Sequence, residues 1–211
     1  MINYGGETVK LSLLLSLVLP VAIAWSSPGH AANPEHVTQL LQTKQCEGCD
    51  LSDADLVGAD LREANLKGAN LTGANLEAAN LCNADLSETN LEQAILINAN
   101  LFEANLSGVN LRQAQLGNAN LSFINLSRSD LNGANLSQAN LGMANLSDGN
   151  LSYTNLRGAN LIGANLSGVS WEAANLTDAH LDPASINEAN GLGTGETSAV
   201  EVTERDRARV R

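Results

Sequence analysis

Cys46 and Cys49 stand three residues apart in Gln45-Cys46-Glu47-Gly48-Cys49-Asp50, the most reactive pairing in the chain. A CxxC can close a disulfide, cycle as a redox pair, supply half of a zinc site or attach haem when histidine follows. Residue 50 is aspartate, which removes haem, and no second pair of zinc ligands is evident nearby. In an exported chain the expected state is a Cys46–Cys49 disulfide; a redox-active pair is the alternative. Cys82 is left over and is expected to point outward as a free thiol. His30, His36 and His180 are scattered, and Asp50, Asp55, Asp60 and Asp85 share one register and read as turn residues. A calcium site would need oxygens converging at close range. With no nucleophile–base pair, phosphate loop or metal cluster legible, the chain is expected to be no enzyme and to hold no metal or cofactor.

The compartment is suggested by the first 32 residues. Lys10 precedes an apolar run from Leu11 to Trp25, interrupted only by Ser12, Ser16 and Pro20, and then comes the small, polar stretch SSPGHAAN. That is the layout of a secretory signal peptide over residues 1–32, with cleavage after Ala31 or Ala32; Ala22-Ile23-Ala24 is a second fit, and an uncleaved anchor the alternative. Asn-Leu-Ser recurs at Asn105, Asn125, Asn135, Asn145, Asn150 and Asn165, each a glycosylation acceptor in a eukaryotic secretory route. Sugars at such density argue for a bacterial or organellar route instead. The chain of 211 residues carries 23 acidic and 11 basic residues, a formal net charge of -12. No basic patch is available to neutralise phosphates, so direct nucleic-acid binding is not expected.

Residues 33–49 read as a capping helix and the CxxC segment. Asn33 is a good N-cap, Pro34 suits the first helical position, and Glu35 lies where the helix dipole favours negative charge. Val37, Leu40 and Leu41 share one face, which predicts a short amphipathic helix from Pro34 to about Lys44 that needs docking for stability.

Beyond it, leucine recurs every five residues from Leu51 to Ile186, filling 26 of 28 central positions; Trp171 and Ile186 are the exceptions. Alanine usually stands two before each centre and asparagine one before. On a helix a period of five would spiral round the surface, and on a strand an odd period alternates faces. The pattern works if each pentapeptide is one side of a coil with a turn at every corner. A 20-residue period lies over it. The alanine slot departs from alanine at Cys49, Thr89, Val109, Ser129, Gly149 and Val169, all multiples of 20 apart, and elsewhere only at Ile124 and Thr154; Ser87, Ser107, Ser127, Ser147 and Ser167 form a second row. Four sides per coil follow. An internal repeat of this length decides the fold before local propensity does.

Residues 50–190 resemble the pentapeptide-repeat family of the A(D/N)LXX type, and the opening AANPEHVTQLLQTKQCEGCDLSDADL resembles its exported cyanobacterial members. The resemblance implies an all-β, right-handed quadrilateral β-helix of about seven coils, with the central leucine and the preceding alanine inside. It also implies periplasm or thylakoid lumen without deciding between them, and it supplies no biochemical activity. The helix over residues 34–44 is placed to cover the first coil. Trp171 in a leucine slot and Pro183 after Leu181 suggest that the regular stack is finishing, and residues 191–211 read as a disordered charged tail. Pairing of the last coil with another molecule, as an end-to-end dimer, is one way to bury its edge.

Phe102, Phe123, Met143 and Ile162 follow centres 101, 121, 141 and 161 and stack on one side, an apolar strip for a protein partner or, equally, rings lying flat over neighbouring coils. The expected function is therefore an exported, non-enzymatic scaffold presenting β-helix faces to a protein. Two alternatives stand beside it. Some family members mimic B-DNA and inhibit DNA gyrase, and residues 50–190 hold 16 acidic against 5 basic residues. The leader and the crowding of acids between Asp50 and Glu103 speak against that reading. A thiol-redox protein using Cys46 and Cys49 is the other.

Overall fold

A computed structural model of the chain describes residues 32–182. The expectations for the signal segment, Pro183, Ile186 and residues 191–211 lie outside the described residues.

One pentapeptide explains the rest. Around Leu111, the Ala114 N–H donates back to the Leu111 carbonyl at 3.1 Å, closing a turn. Gln113, two after the centre, has a φ of 58°, the single positive φ of a type II turn. The remaining amides leave the coil: Leu111 N–H donates to Asp130 O at 2.7 Å, Gln113 N–H to Asn132 O at 3.1 Å, and Asn110 N–H to Thr89 O at 3.1 Å. Every side therefore pairs with the coils before and after it, which satisfies backbone groups that a lone pentapeptide could not. Parallel bridges join residues 20 apart from Gln45–Asn65 through Asn160–His180. The result is a four-sided β-helix.

Its interior is a stack of leucines, buried at every centre from Leu51 to Leu166, with the alanine slot beside them. Each leucine contributes about 1.5–3 kcal/mol by burial, an upper figure because unfolded chains already hide some surface. On the side where alanine fails, the inward hydroxyls find carbonyls: Thr89 Oγ1 donates to Leu86 O at 2.7 Å and Ser129 Oγ to Leu106 O at 2.8 Å. Gly149 is required there, since a Cβ would come within 2.9 Å of the Leu146 carbonyl oxygen.

Asparagine one before the centre is not inside the turn, as its composition suggested, but is the bridging residue itself. Its Oδ1 accepts the N–H two residues on, as in Lys67 N–H to Asn65 at 3.2 Å, and so braces the turn from outside. Its Nδ2 reaches along the stack, as in Asn120 to Asn100 at 2.9 Å and Asn160 to Asn140 at 2.9 Å.

The first helix, α1, spans Pro34–Thr43; the Asn33 side chain accepts from the Glu35 N–H, and Lys44 ends it with a φ of 58°. Leu40 is fully buried under it and Val37 packs beside the core, whereas Leu41 is 43% exposed and does not join that face. The helix is held by Asn33 N–H to Asp50 O at 3.2 Å and by the Asp50 N–H donating to His36 Nδ1 at 2.9 Å. The repeat also begins one unit earlier than the leucines suggest. Cys46 fills the central slot and Gln45 makes the first bridge.

Candidate functional site

The four faces are named here by their centres: face 1 from Cys46, face 2 from Leu51, face 3 from Leu56 and face 4 from Leu61, each recurring every 20 residues. Function has to be sought on their outward positions, since the interior is filled.

Face 4 brings Phe102, Phe123, Met143 and Ile162 onto consecutive rungs. Phe123, Met143 and Ile162 are 53%, 58% and 52% exposed, while Phe102 is half-buried. The two rings meet edge to face with centroids 5.6 Å apart. Met143 lies along the stack over Gly163, where a Cβ would collide with its sulfur. Asn120, Asn140 and Asn160 run beside the strip, and no outward residue of face 4 from Asn120 to Gly163 carries a charge. This is an uncharged β surface that carries large apolar side chains in contact with solvent. Tyr153 on face 2 and Val57 on face 3 are also large and exposed, but neither has a large apolar residue on the adjoining rung of its column.

The charges gather at the opposite end. Arg62 donates to Asp60 through Nε and Nη2 at 2.8 and 2.7 Å, holding that carboxyl far below the usual carboxylate range. Lys44 Nζ approaches the same carboxylate at 3.5 Å and ties α1 to the first coils. Burial raises the Asp85 carboxyl, but hydrogen bonds from Ser87 at 3.0 Å and Asn105 at 3.1 Å outweigh it and lower the pKa on balance. The Ser52 hydroxyl, 2.7 Å from Asp50, lowers that carboxyl too. Asp55 accepts from the Val57 N–H at 3.3 Å, so all four aspartates brace turns.

The Cys46 and Cys49 sulfurs are bonded at 2.03 Å, both buried in the first coil beneath α1. A buried pair is closed to an outside thiol. Cys82 is half-exposed on face 4, with the Asn100 amide nitrogen 3.0 Å from its sulfur. His180 is exposed, and His30 lies outside the described residues. Among the described residues no cluster of metal-binding side chains occurs, and no helix is long and apolar enough to cross a membrane.

The ladder and its filling residues can now be set beside known proteins. A family profile described as pentapeptide repeats matches in eight copies over residues 45–81, 74–113, 114–152 and 154–190. The chain belongs to the pentapeptide-repeat family. Its members fold as right-handed β-helices and are in general non-enzymatic scaffolds. Among solved structures, HetL of the cyanobacterium Nostoc sp. strain PCC 7120, involved in heterocyst differentiation regulation, is 37% identical. The match covers 65% of this chain and 70% of that one, with a TM-score of 0.36. Rfr23 of the cyanobacterium Cyanothece 51142 is 29% identical over 70% of this chain and 98% of its own, with a TM-score of 0.41. A pentapeptide repeat protein of the Arabidopsis thaliana thylakoid lumen is 25% identical over 66% of this chain and 87% of that one, with a TM-score of 0.19. No curated protein matches.

Proposed function

We propose that this pentapeptide-repeat protein is an exported, non-enzymatic scaffold of about seven coils, whose face 4 docks a protein partner in the periplasm or thylakoid lumen. The observation that carries this reading is the uncharged face itself. Phe123, Met143 and Ile162 stay exposed on successive rungs of a rigid stack, where apolar surface has no structural duty. Phe123 and Met143 even occupy corner positions with φ near 60°, where glycine would cost less. Export is supported by the order Lys10, apolar run, small residues. It makes the Cys46–Cys49 disulfide a lasting brace within the first coil, beneath the cap. The acidic excess favours a second reading, inhibition of DNA gyrase by mimicry of B-DNA.

A photo-reactive phenylalanine analogue placed at position 123 in living cells tests the first reading, with position 77 on face 3 as control. The expected outcome is a discrete crosslinked protein from position 123 alone. The F102S/F123S double substitution should abolish capture while moving the melting temperature by only a few degrees, and the purified chain should not inhibit gyrase. Loss of most of the melting temperature would reassign the rings to packing. Equal crosslinking from both positions, or gyrase inhibition, would remove face 4 from the function.

A further inference from the structure

The asparagine ladder is broken at two places, and both lie on face 3. From Ser52 to Ser167 the N–H one residue after each centre donates to the side chain two positions before it, with two exceptions. Glu77 N–H to Asn75 at 3.1 Å and Ser137 N–H to Asn135 at 3.1 Å show the rule on this face. Between them the slot holds Ile95 and Gln115, and the Ile97 and Gly117 N–H groups meet no acceptor among the described residues. Gln115 turns its amide to Asn135 at 3.3 Å and to the Gln113 carbonyl at 3.4 Å, not to Gly117. Two orphan donors therefore stand on adjoining rungs, about 4.8 Å apart. Gly117 is buried and Ile97 half-buried, where an unpaired N–H is costly.

The ladder itself shows which acceptor suits this donor. Asp50 accepts the Ser52 N–H at 3.2 Å, Asp60 the Arg62 N–H at 3.3 Å and Asp130 the Asn132 N–H at 3.0 Å. At Asp50 the Ser52 hydroxyl and N–H, and at Asp60 the Arg62 guanidinium and N–H, lower the carboxyl. Backbone N–H groups aimed at one spot make an anion site, and one carboxylate has two oxygens to offer them. Ile95 and Ile97 flank the donors with half-exposed apolar side chains. A Cβ at Gly117 would meet only Ser137, at 3.7 and 3.8 Å, so packing does not demand glycine there; the missing side chain leaves the rung open. No outward residue of face 3 from Ile95 to Gln138 is charged. In the donors' own column the nearest charges are Glu77, one rung before Ile97, and Arg157, two rungs past Gly117 and 3.6 Å from Asp178.

We propose that the Ile97 and Gly117 N–H groups form a notch that binds a carboxylate carrying an alkyl group, one oxygen to each rung, with the alkyl group against Ile95 and Ile97. The long hydrogen bonds of Gln115 let its side chain move aside as the ligand enters. The notch lies on a different face from the Phe123 strip and does not depend on docking there.

Amide shifts of the isotope-labelled full chain are followed by nuclear magnetic resonance as sodium butyrate is added, with sodium chloride at equal ionic strength as reference. The Ile97 and Gly117 signals should move downfield together and saturate. N-acetyl-leucinamide, which lacks the carboxylate, should leave them in place. I95N/Q115N restores the ladder's own acceptors, so it should abolish the response without lowering the melting temperature. E77Q removes the nearest like charge and should tighten binding about two-fold. N-acetyl-leucine in place of butyrate separates two sources of the same chemistry. A several-fold tighter response assigns the notch to a peptide C-terminus, and an equal or weaker one to a small free acid. Unmoved signals, an equal response to chloride or to the leucinamide, or a response that persists in I95N/Q115N overturns the proposal. None of these results bears on the crosslink from position 123, so the two readings fail separately.

Discussion

At Ala78 the backbone turns with a φ of 55° and the methyl group faces solvent. A left-handed conformation costs an L-residue about 1–2 kcal/mol, which glycine avoids. Glycine's extra freedom in the unfolded chain gives back about 0.5–1 kcal/mol of that gain. Ala78→Gly is therefore expected to stabilise the protein by about 0.5 kcal/mol, read as a higher urea midpoint with an unchanged slope. Gly163→Ala should do the reverse, since its new methyl strains the turn and runs into Met143. A lower midpoint for Ala78→Gly would show that turn strain does not limit this fold. Among the described residues glycine occupies only nine of these corners, so the stack has accepted the strain repeatedly. That tolerance leaves the corner side chains open to be chosen for what they present outward, as Phe123 and Met143 are.

The element that sequence described least well is the junction between α1 and the first coil. The helix start was legible, because Asn33 and Pro34 have capping roles that do not depend on tertiary context. The hand-over was not. Cys46 fills a leucine slot, but a cysteine draws the eye to redox chemistry before packing, and Lys44 turns left-handed with no glycine to announce it. Leu41 shares the helical spacing of Leu40, yet only Leu40 meets the coil, since the exposed end of a narrow square stack accepts a narrow strip of helix. The repeat itself was legible in full register because one residue type answers one slot. The strip on face 4 was legible as a column, but not its uncharged surroundings or the Phe102–Phe123 ring contact, which need the coils to be wound. Leu40→Ala is expected to cost about 2–5 kcal/mol. Amide exchange should rise in the first coil, near Leu51 and Leu56, and remain slow around Leu131. Uniformly faster exchange would mean that α1 stabilises the whole stack and not its end.

For the molecule as a whole, each coil touches only the coil before and the coil after it, so stability is a chain of nearest-neighbour contacts. A defect should then matter by its place along the axis. Leu116 is fully enclosed with paired coils on both sides, whereas Leu176, 7% exposed, belongs to the last rungs of the described ladder. Leu116→Asp puts an unpaired carboxylate into a dry column and is expected to cost on the order of 5 kcal/mol or more. Circular dichroism should show loss of the β signal on one side of the break before the other, as a broadened or two-step melt. Leu176→Asp can be relieved by fraying the final rungs, leaving a cooperative melt a few degrees lower. If both substitutions lowered the melting temperature equally in a single sharp step, the stack would be one cooperative block. Face 4 would then be rigid from Phe102 to Ile162 for reasons other than the local ladder beneath it.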